Sequence, residues 1–250
     1  MRLLDFIVQI IYNIYIIKTF HAAAQFEGRG GRQGMYGRKG DVYMNTIITI
    51  GRQFGSGGRE IGKKVAEHFG IKFYDKDLLT RAAKESGFCE EMIQSHDERP
   101  TNSFLYNLVM DTYSFGYNSS SFVDMPISHK VFLAQFDTIK KIASEGPCVI
   151  VGRCADSILK ETGNSLNIYI HAGKNFKAEH LMERNHVSYD EAVREMERLD
   201  KRRASHYKYY ADQVWGFAEN YHLCLDSSLI GIEKCVSVIC DIYRSINAGQ

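Results

Sequence analysis

The chain has 250 residues, 44% hydrophobic and 24% charged, a balance that marks a folded globular protein and excludes a disordered or fibrous one. Basic and acidic side chains number 31 and 30, for a formal net charge of +1, so the chain as a whole is not built to bind polyanions. None of the six cysteines, Cys89, Cys148, Cys154, Cys224, Cys235 and Cys240, forms a C-x-x-C pair; they fit reduced thiols in a cytoplasmic protein rather than disulfides or zinc ligands.

Residues 1–43 differ in character from residues 44–250. Leu3 to Ile17 is apolar but short for a membrane span and is interrupted by Asp5, Gln9 and Asn13. Ala22-Ala23-Ala24 resembles a signal-peptide cleavage site, and Glu27 to Asp41 is Gly/Arg-rich without periodicity. Arg38-Lys39-Gly40-Asp41 can be encoded by a purine-rich run like a bacterial ribosome-binding site, with Met44 at a suitable distance. Met44 is therefore expected to be the native start, and residues 1–43 an extension that is disordered or outside the natural chain. Residues 44–250 are expected to form one domain.

After Met44 the pattern is βαβ. Short apolar runs at Ile47–Ile50, Lys72–Tyr74, Cys148–Val151, Asn167–Ile170 and His222–Leu225 read as buried parallel strands. Ile61, Val65 and Phe69 recur at helical spacing before Gly70. Further helices are expected at Asp77–Gly87, His129–Ser144 and Asn175–Asn185, from a Ser188–Glu191 capping box toward Arg203, and at Gly231–Ile246. Pro100–Pro126 has no steady period and reads as a helical insertion with a mobile loop. Together these predict a five-stranded parallel sheet with helices on both faces.

Four segments carry candidate chemistry. Residues 47–62 feed a strand into Gly55-Ser56-Gly57-Gly58 and then a helix, the layout of a phosphate cradle. The pattern G-x-x-x-x-G-K-[ST] is not completed: with Gly55–Gly57 as the cradle, Gly58 takes the lysine slot and Arg59 the hydroxyl slot. If Arg59 replaces the lysine, Glu60 takes the hydroxyl slot. A turn without a ligand is the alternative. In the second segment, Asp75 stands where a strand meets a helix and Arg81 lies further along that helix. They are placed to meet a polar ligand, or else Asp75 or Asp77 is a plain N-cap and Arg81 a surface residue. In the third, Gly152-Arg153 ends a buried strand, where arginine suits phosphate and Asp156 is its other possible partner. In the fourth, Arg194 to Tyr210 packs Arg198, Lys201, Arg202, Arg203 and Lys208 beside a tyrosine-rich loop and the single tryptophan, Trp215. A lid, a solvated face and an RNA-binding surface all fit that pattern.

In order and spacing, these segments and the ending Cys224-Leu225-Asp226-Ser227-Ser228 resemble the nucleoside monophosphate kinases, most of all the cytidylate kinase-like family. The resemblance runs from Asn45 to the C-terminus. Gly55–Arg59 stands at the Gly-Ala-Gly-Lys-Ser-type loop, and Asp75 and Arg81 match an Asp-Ser-Gly-x-x-Tyr-Arg-like segment. Gly152-Arg153 matches the Asp-Gly-Arg-Asp segment, whose arginine meets the monophosphate. Asp200 and Arg203 match the second half of the lid run Arg-Asp-x-x-Asp-x-x-Arg, with Arg198 one position off its first arginine. The resemblance implies ATP-dependent phosphoryl transfer to a nucleoside monophosphate, CMP or dCMP first among them, with Mg²⁺. ATP would lie on Gly55, Ser56, Gly57, Gly58, Arg59 and Glu60. Asp75, Arg81, Gly152 and Arg153 would hold the acceptor. Arg59, Arg198, Arg202 and Arg203 would act on the transferring group, with Asp200 orienting Arg203. A lid is implied over 198–216, with residues 100–127 beside the acceptor. The implied partner is a small nucleotide, not nucleic acid, nor a membrane for residues 44–250. The missing lysine leaves a nucleotide-binding module without catalysis, or a kinase for another small phosphate-bearing substrate, as alternatives.

Overall fold

The computed structural model describes residues 46–97 and 127–248. The expected 1–43 extension and the Pro100–Pro126 segment lie outside them. Five strands, β1 (Ile47–Arg52), β2 (Lys72–Tyr74), β3 (Cys148–Val151), β4 (Ser165–His171) and β5 (Leu223–Asp226), form one sheet in the order β2-β3-β1-β4-β5. Every neighbouring pair is parallel, with Ile48 beside Val149 on one side and Leu166 on the other. From β1 the chain winds first toward β2 and β3, then back across to β4 and β5. The switch point is therefore the carboxyl end of β1, where open α/β sheets bind ligands.

Both faces of the sheet are covered, as its nearly continuous apolar strands require. Ile48, Ile50, Val149, Val151, Leu166, Ile168 and Ile170 pack against α1 (Gly58–Phe69) through Ile61 and Val65. The same face packs on α9 (Ile232–Ala248) through Cys235, Ile239 and Tyr243. The opposite face, with Ile47, Cys148 and Ile150, is covered by α2 (Lys76–Ser86), α3 (Glu90–His96) and α4 (Ile127–Ser144). The short α5 (Ala155–Ile158) packs there too. A third cluster joins α6 (Lys174–Asn185) to α7 (Tyr189–Ala211) through Ala178, Leu181, Ala192 and Met196, with Phe54 against it. These two helices form a unit beside the loop after β1; the lid expected over 198–216 falls on the second half of α7 and the segment that follows it. The one-turn α8 (Ser227–Ile230) leads from β5 toward α9.

One expectation changes here. The tyrosines at 207–210 are not in a loop, because α7 continues to Ala211. Tyr207 and Tyr210 are buried in the core beneath the sheet, Tyr210 stacking on Phe132 at 3.9 Å between ring centroids. The cysteines divide into four buried, Cys148, Cys154, Cys235 and Cys240, and two exposed, Cys89 and Cys224. Among the described residues no helix is long and apolar enough to cross a membrane.

Candidate active site

The turn from β1 into α1 is shaped by glycine and tied down by side chains. Gly55 and Gly57 have φ of 82° and 75°, in the left-handed region that disfavours other residues. A Cβ on Gly55 would also come within 2.8 Å of the Lys177 carbonyl oxygen. Gln53 N–H donates to the Ile170 carbonyl at 3.0 Å, and the Gln53 side-chain oxygen accepts from Ala172 N–H at 3.2 Å. Ser56 is fully buried and donates through its hydroxyl to the Gln53 carbonyl at 2.9 Å, while Ser227 Oγ donates to the Ser56 carbonyl at 2.7 Å. Gly57 is the N-cap of α1 and supplies no side-chain cap. The first-turn amides of α1 have no partner within the helix, and Gly58, Arg59 and Glu60 line a cleft of about 740 Å³. Rigid backbone, open amides and a helix dipole make an anion cradle.

The facing wall is built where β3 ends. Gly152, Arg153 and Cys154 are three consecutive residues in the left-handed region, at φ 77°, 57° and 55°. Two of them are not glycine, a strained arrangement of the kind that collects at binding sites. The turn folds Arg153 back under the sheet edge, where it is 5% exposed. Its Nη1 donates to Asp75 at 2.6 Å and to the Val151 carbonyl at 2.9 Å. Its Nη2 and Nε meet the two oxygens of Asp97 at 2.9 and 3.3 Å. Asp75 is the N-cap of α2 yet makes no side-chain cap bond; its carboxylate instead takes Arg153 on one oxygen and Arg59 Nε on the other, also at 2.6 Å. Burial pushes the Asp75 pKa up, but the charges of Arg153 and Arg52 and the bonds from Arg59 and Arg153 outweigh it and hold the carboxyl below its ordinary value.

The third wall comes from α6 and α7. His180 and Arg184 of α6 and Arg202 and Arg203 of α7 line the same cleft. Arg184 and Arg203 lie over the ring of Phe54, at 5.4 and 5.5 Å from its centroid. Asp200 faces the loop, accepting from Phe54 N–H at 2.7 Å and from Lys177 Nζ at 3.4 Å. Burial raises its pKa, opposed by the Phe54 bond and by Lys177 and Arg203. The buried Nε of Arg202 has no hydrogen-bond partner among the described residues, as a donor awaiting an anion would have.

A sequence profile of the Cytidylate kinase-like family matches residues 47–229. The chain belongs to that family. It is 29% identical over 147 residues to a cytidylate kinase of Pyrococcus horikoshii, an alignment spanning 58% of this chain and 61% of the length of that relative. It is 22% identical over 210 residues to a cytidylate kinase of Methanopyrus kandleri, covering 78% of this chain and 92% of that one. Among solved structures, an uncharacterized protein from Eubacterium ventriosum superposes with a TM-score of 0.61 at 28% identity, over 80% of this chain and 99% of that one.

In this cytidylate kinase-like domain the cleft gathers Gly55, Gly57, Gly58, Arg59, Glu60, Asp75, Arg153, Arg202 and Arg203. Ser56 and Asp200 stand behind them as supports of the loop. Three other expected residues do not line the cleft: Gly152, Arg81 and Arg198. Gly152 lies behind it, under the Arg52 guanidinium. Arg81 turns toward the amino ends of the strands, where Nε pairs with Glu85 and the guanidinium with Glu145, which directly precedes the turn into β3. Those bonds draw the Glu145 carboxyl down to about 2. Arg81 is thus paired with two carboxylates and does not line the cleft. Arg198 is exposed on α7 and does not line the cleft, because Leu199 and Met196 set the buried face of that helix.

The lysine slot is also explained differently. Gly58 is not in the left-handed region; a Cβ there would lie 2.5 Å from Arg52 Cβ. The site residues that sequence reasoning missed are Arg52, Gln53, Asp97, His180 and Arg184. Arg52 alone carries a sequence signal, since it continues the alternation Ile48, Ile50 toward the face that holds α1.

Proposed function

We propose that this protein transfers the terminal phosphoryl group of ATP to a nucleoside monophosphate, with CMP and dCMP the first acceptors to test. The observation that carries the reading is the shared cleft: an uncapped helix N-terminus on one wall, a buried arginine at the end of the next strand on the second, and lid arginines on the third. The triphosphate lies along the amides of Gly57–Glu60. The acceptor phosphate takes Arg153, displacing Asp97, since a guanidinium fork serves one bidentate anion at a time. Arg202 and Arg203 meet the transferring group from the lid and exclude water. The γ-phosphorus exchanges its bond to the β,γ-bridging oxygen for one to an acceptor phosphate oxygen, and ADP leaves with the electron pair.

Among the described residues no three His, Cys, Asp or Glu side chains cluster as a metal cage, a donor set suited to an Mg²⁺ ion that keeps its waters and is carried by phosphates. Glu60 and Asp75 are the cleft carboxylates able to approach it. When bound, Mg²⁺ supplies charge neutralisation on the phosphate oxygens. The test is coupled ADP release from purified protein with ATP, Mg²⁺ and each of CMP, dCMP and UMP. Release with one or more acceptors supports the reading. The glycine at position 58, where a lysine is usual, favours a second reading, a nucleotide-binding module without transfer. Thermal stabilisation by nucleotide with no ADP release in any mixture would decide for it.

A further inference from the structure

The lysine missing from the phosphate loop has a geometric replacement. In the pattern G-x-x-x-x-G-K the first glycine precedes the lysine by six positions. Counting back from Gly58, that slot holds Arg52. Relative to the pattern, the glycine slot carries the cation and the lysine slot carries the glycine. The structure shows why both changes come together. Arg52 ends β1 with its side chain on the α1 face, and its stem runs across Gly58, where a Cβ would be 2.5 Å from Arg52 Cβ and 3.1 Å from Cγ. Its guanidinium then lies over Gly152, where a Cβ would overlap Nη1 and come within 2.9 Å of Cζ. Two glycines therefore clear one path for one side chain, from the cradle on α1 to the turn that holds Arg153.

We propose that Arg52 is the catalytic cation of this loop and grips the terminal phosphate of the bound nucleoside triphosphate in place of the usual lysine. The inference rests on the phosphoryl-transfer reading and adds to it the residue that neutralises the transferred group. Arg52 lines the cleft together with Gly58, Arg59 and Arg153. Its charge acts on Asp75, which is itself paired with Arg153. The head group thus stands between the donor cradle and the acceptor arginine, on the path a phosphoryl group would take. A planar fork can hold two phosphate oxygens at once, where an ammonium offers a point charge.

The test is equilibrium binding of ATP and of ADP, each with Mg²⁺, to the full chain and its variants. Wild type is expected to bind ATP more tightly than ADP. Arg52→Met keeps most of the stem and removes the charge; it should weaken ATP by about tenfold or more and ADP by less than about threefold. Arg52→Lys, which keeps a charge without the fork, should fall between. The double variant Arg52→Gly/Gly58→Lys, which rebuilds the usual pattern, should recover the ATP preference lost in Arg52→Met. Equal weakening of ATP and ADP in both single variants, no weakening in either, or a wild type that does not distinguish the two nucleotides overturns the proposal. These measurements need no acceptor. An Arg52-dependent ATP preference without ADP release in any mixture would therefore sustain the role of Arg52 while ending the kinase reading.

Discussion

Asp75 joins the two walls of the cleft, with Arg59 on one oxygen and Arg153 on the other. Its folded pKa lies below the ordinary value. The stability it contributes is therefore fully present above its unfolded pKa of about 3.9 and is lost as pH falls from there through the folded value. Asp75→Asn should destabilise the protein by about 3–5 kcal/mol at neutral pH, because it leaves Arg153 buried with one fewer counter-charge. It should also flatten the fall in stability below about pH 4. Urea denaturation across that range checks both, and parallel pH curves for variant and wild type would count against the assignment. Arg153→Ala confounds binding with folding, since it strands the same carboxylate. Arg153→Lys keeps the charge and loses the fork, so acceptor affinity should drop by about 1.5–3 kcal/mol while ATP affinity stays nearly level. Calorimetry that finds equal losses for both ligands would move Arg153 out of the acceptor site.

At the scale of single elements, α7 couples α6 to the loop after β1. It begins at a capping box in which Ser188 N–H donates to Glu191 at 2.9 Å and Glu191 N–H donates back to Ser188 Oγ at 3.4 Å. Ser188→Ala should lower stability by about 1 kcal/mol with little change in ligand affinity, read from denaturant midpoints. Further along the helix, Asp200 holds the Phe54 amide. Asp200→Asn keeps an oxygen for that amide and loses the attraction to Lys177 and Arg203, whereas Asp200→Ala loses both. Turnover should therefore fall more in the alanine variant; equal losses in the two would mean that charge, not the tether, is what matters at this position.

Elements were legible where chemistry is local. Lys72–Tyr74 and Cys148–Val151 match their strands because short apolar runs are bounded by turn residues. β1 runs two residues past its apolar run, since Gly51 and Arg52 stay in the ladder beside Tyr169 and Ile170. α3 escaped notice because seven residues show too little periodicity. The glycine turn before α1 and the place of Arg153 on the cleft were readable from glycine placement and strand ends. Asp97 and Arg184 were not, because they reach the cleft only through the docking of α3 and α6. Nor was the place of Arg81: spacing put it near the site, but Glu145, distant in sequence, takes its guanidinium.

For the molecule as a whole, the three-walled cleft links ligand binding to folding. A nucleotide that binds only the folded state should stabilise it by about 2.7 kcal/mol at a hundredfold excess over its Kd. Melting temperature should therefore climb with ATP concentration. A flat melting temperature would show that the cleft does not take the nucleotide.

The strand order has a consequence in time as well as in space. β1 sits at the centre of the sheet, yet its neighbours β3 and β4 begin at Cys148 and Ser165. A ribosome adding roughly 5–20 residues per second reaches Cys148 roughly 5–20 s after finishing β1. For that interval Ile47, Ile48 and Ile50 have no strand to pair with and can be covered only by nearby segments such as α1. The segment that carries the phosphate loop is thus among the first of the described residues to be synthesised. It is also the one whose backbone must wait for partners on both sides, so the hazard of mispairing during synthesis falls on the strand the site depends on most.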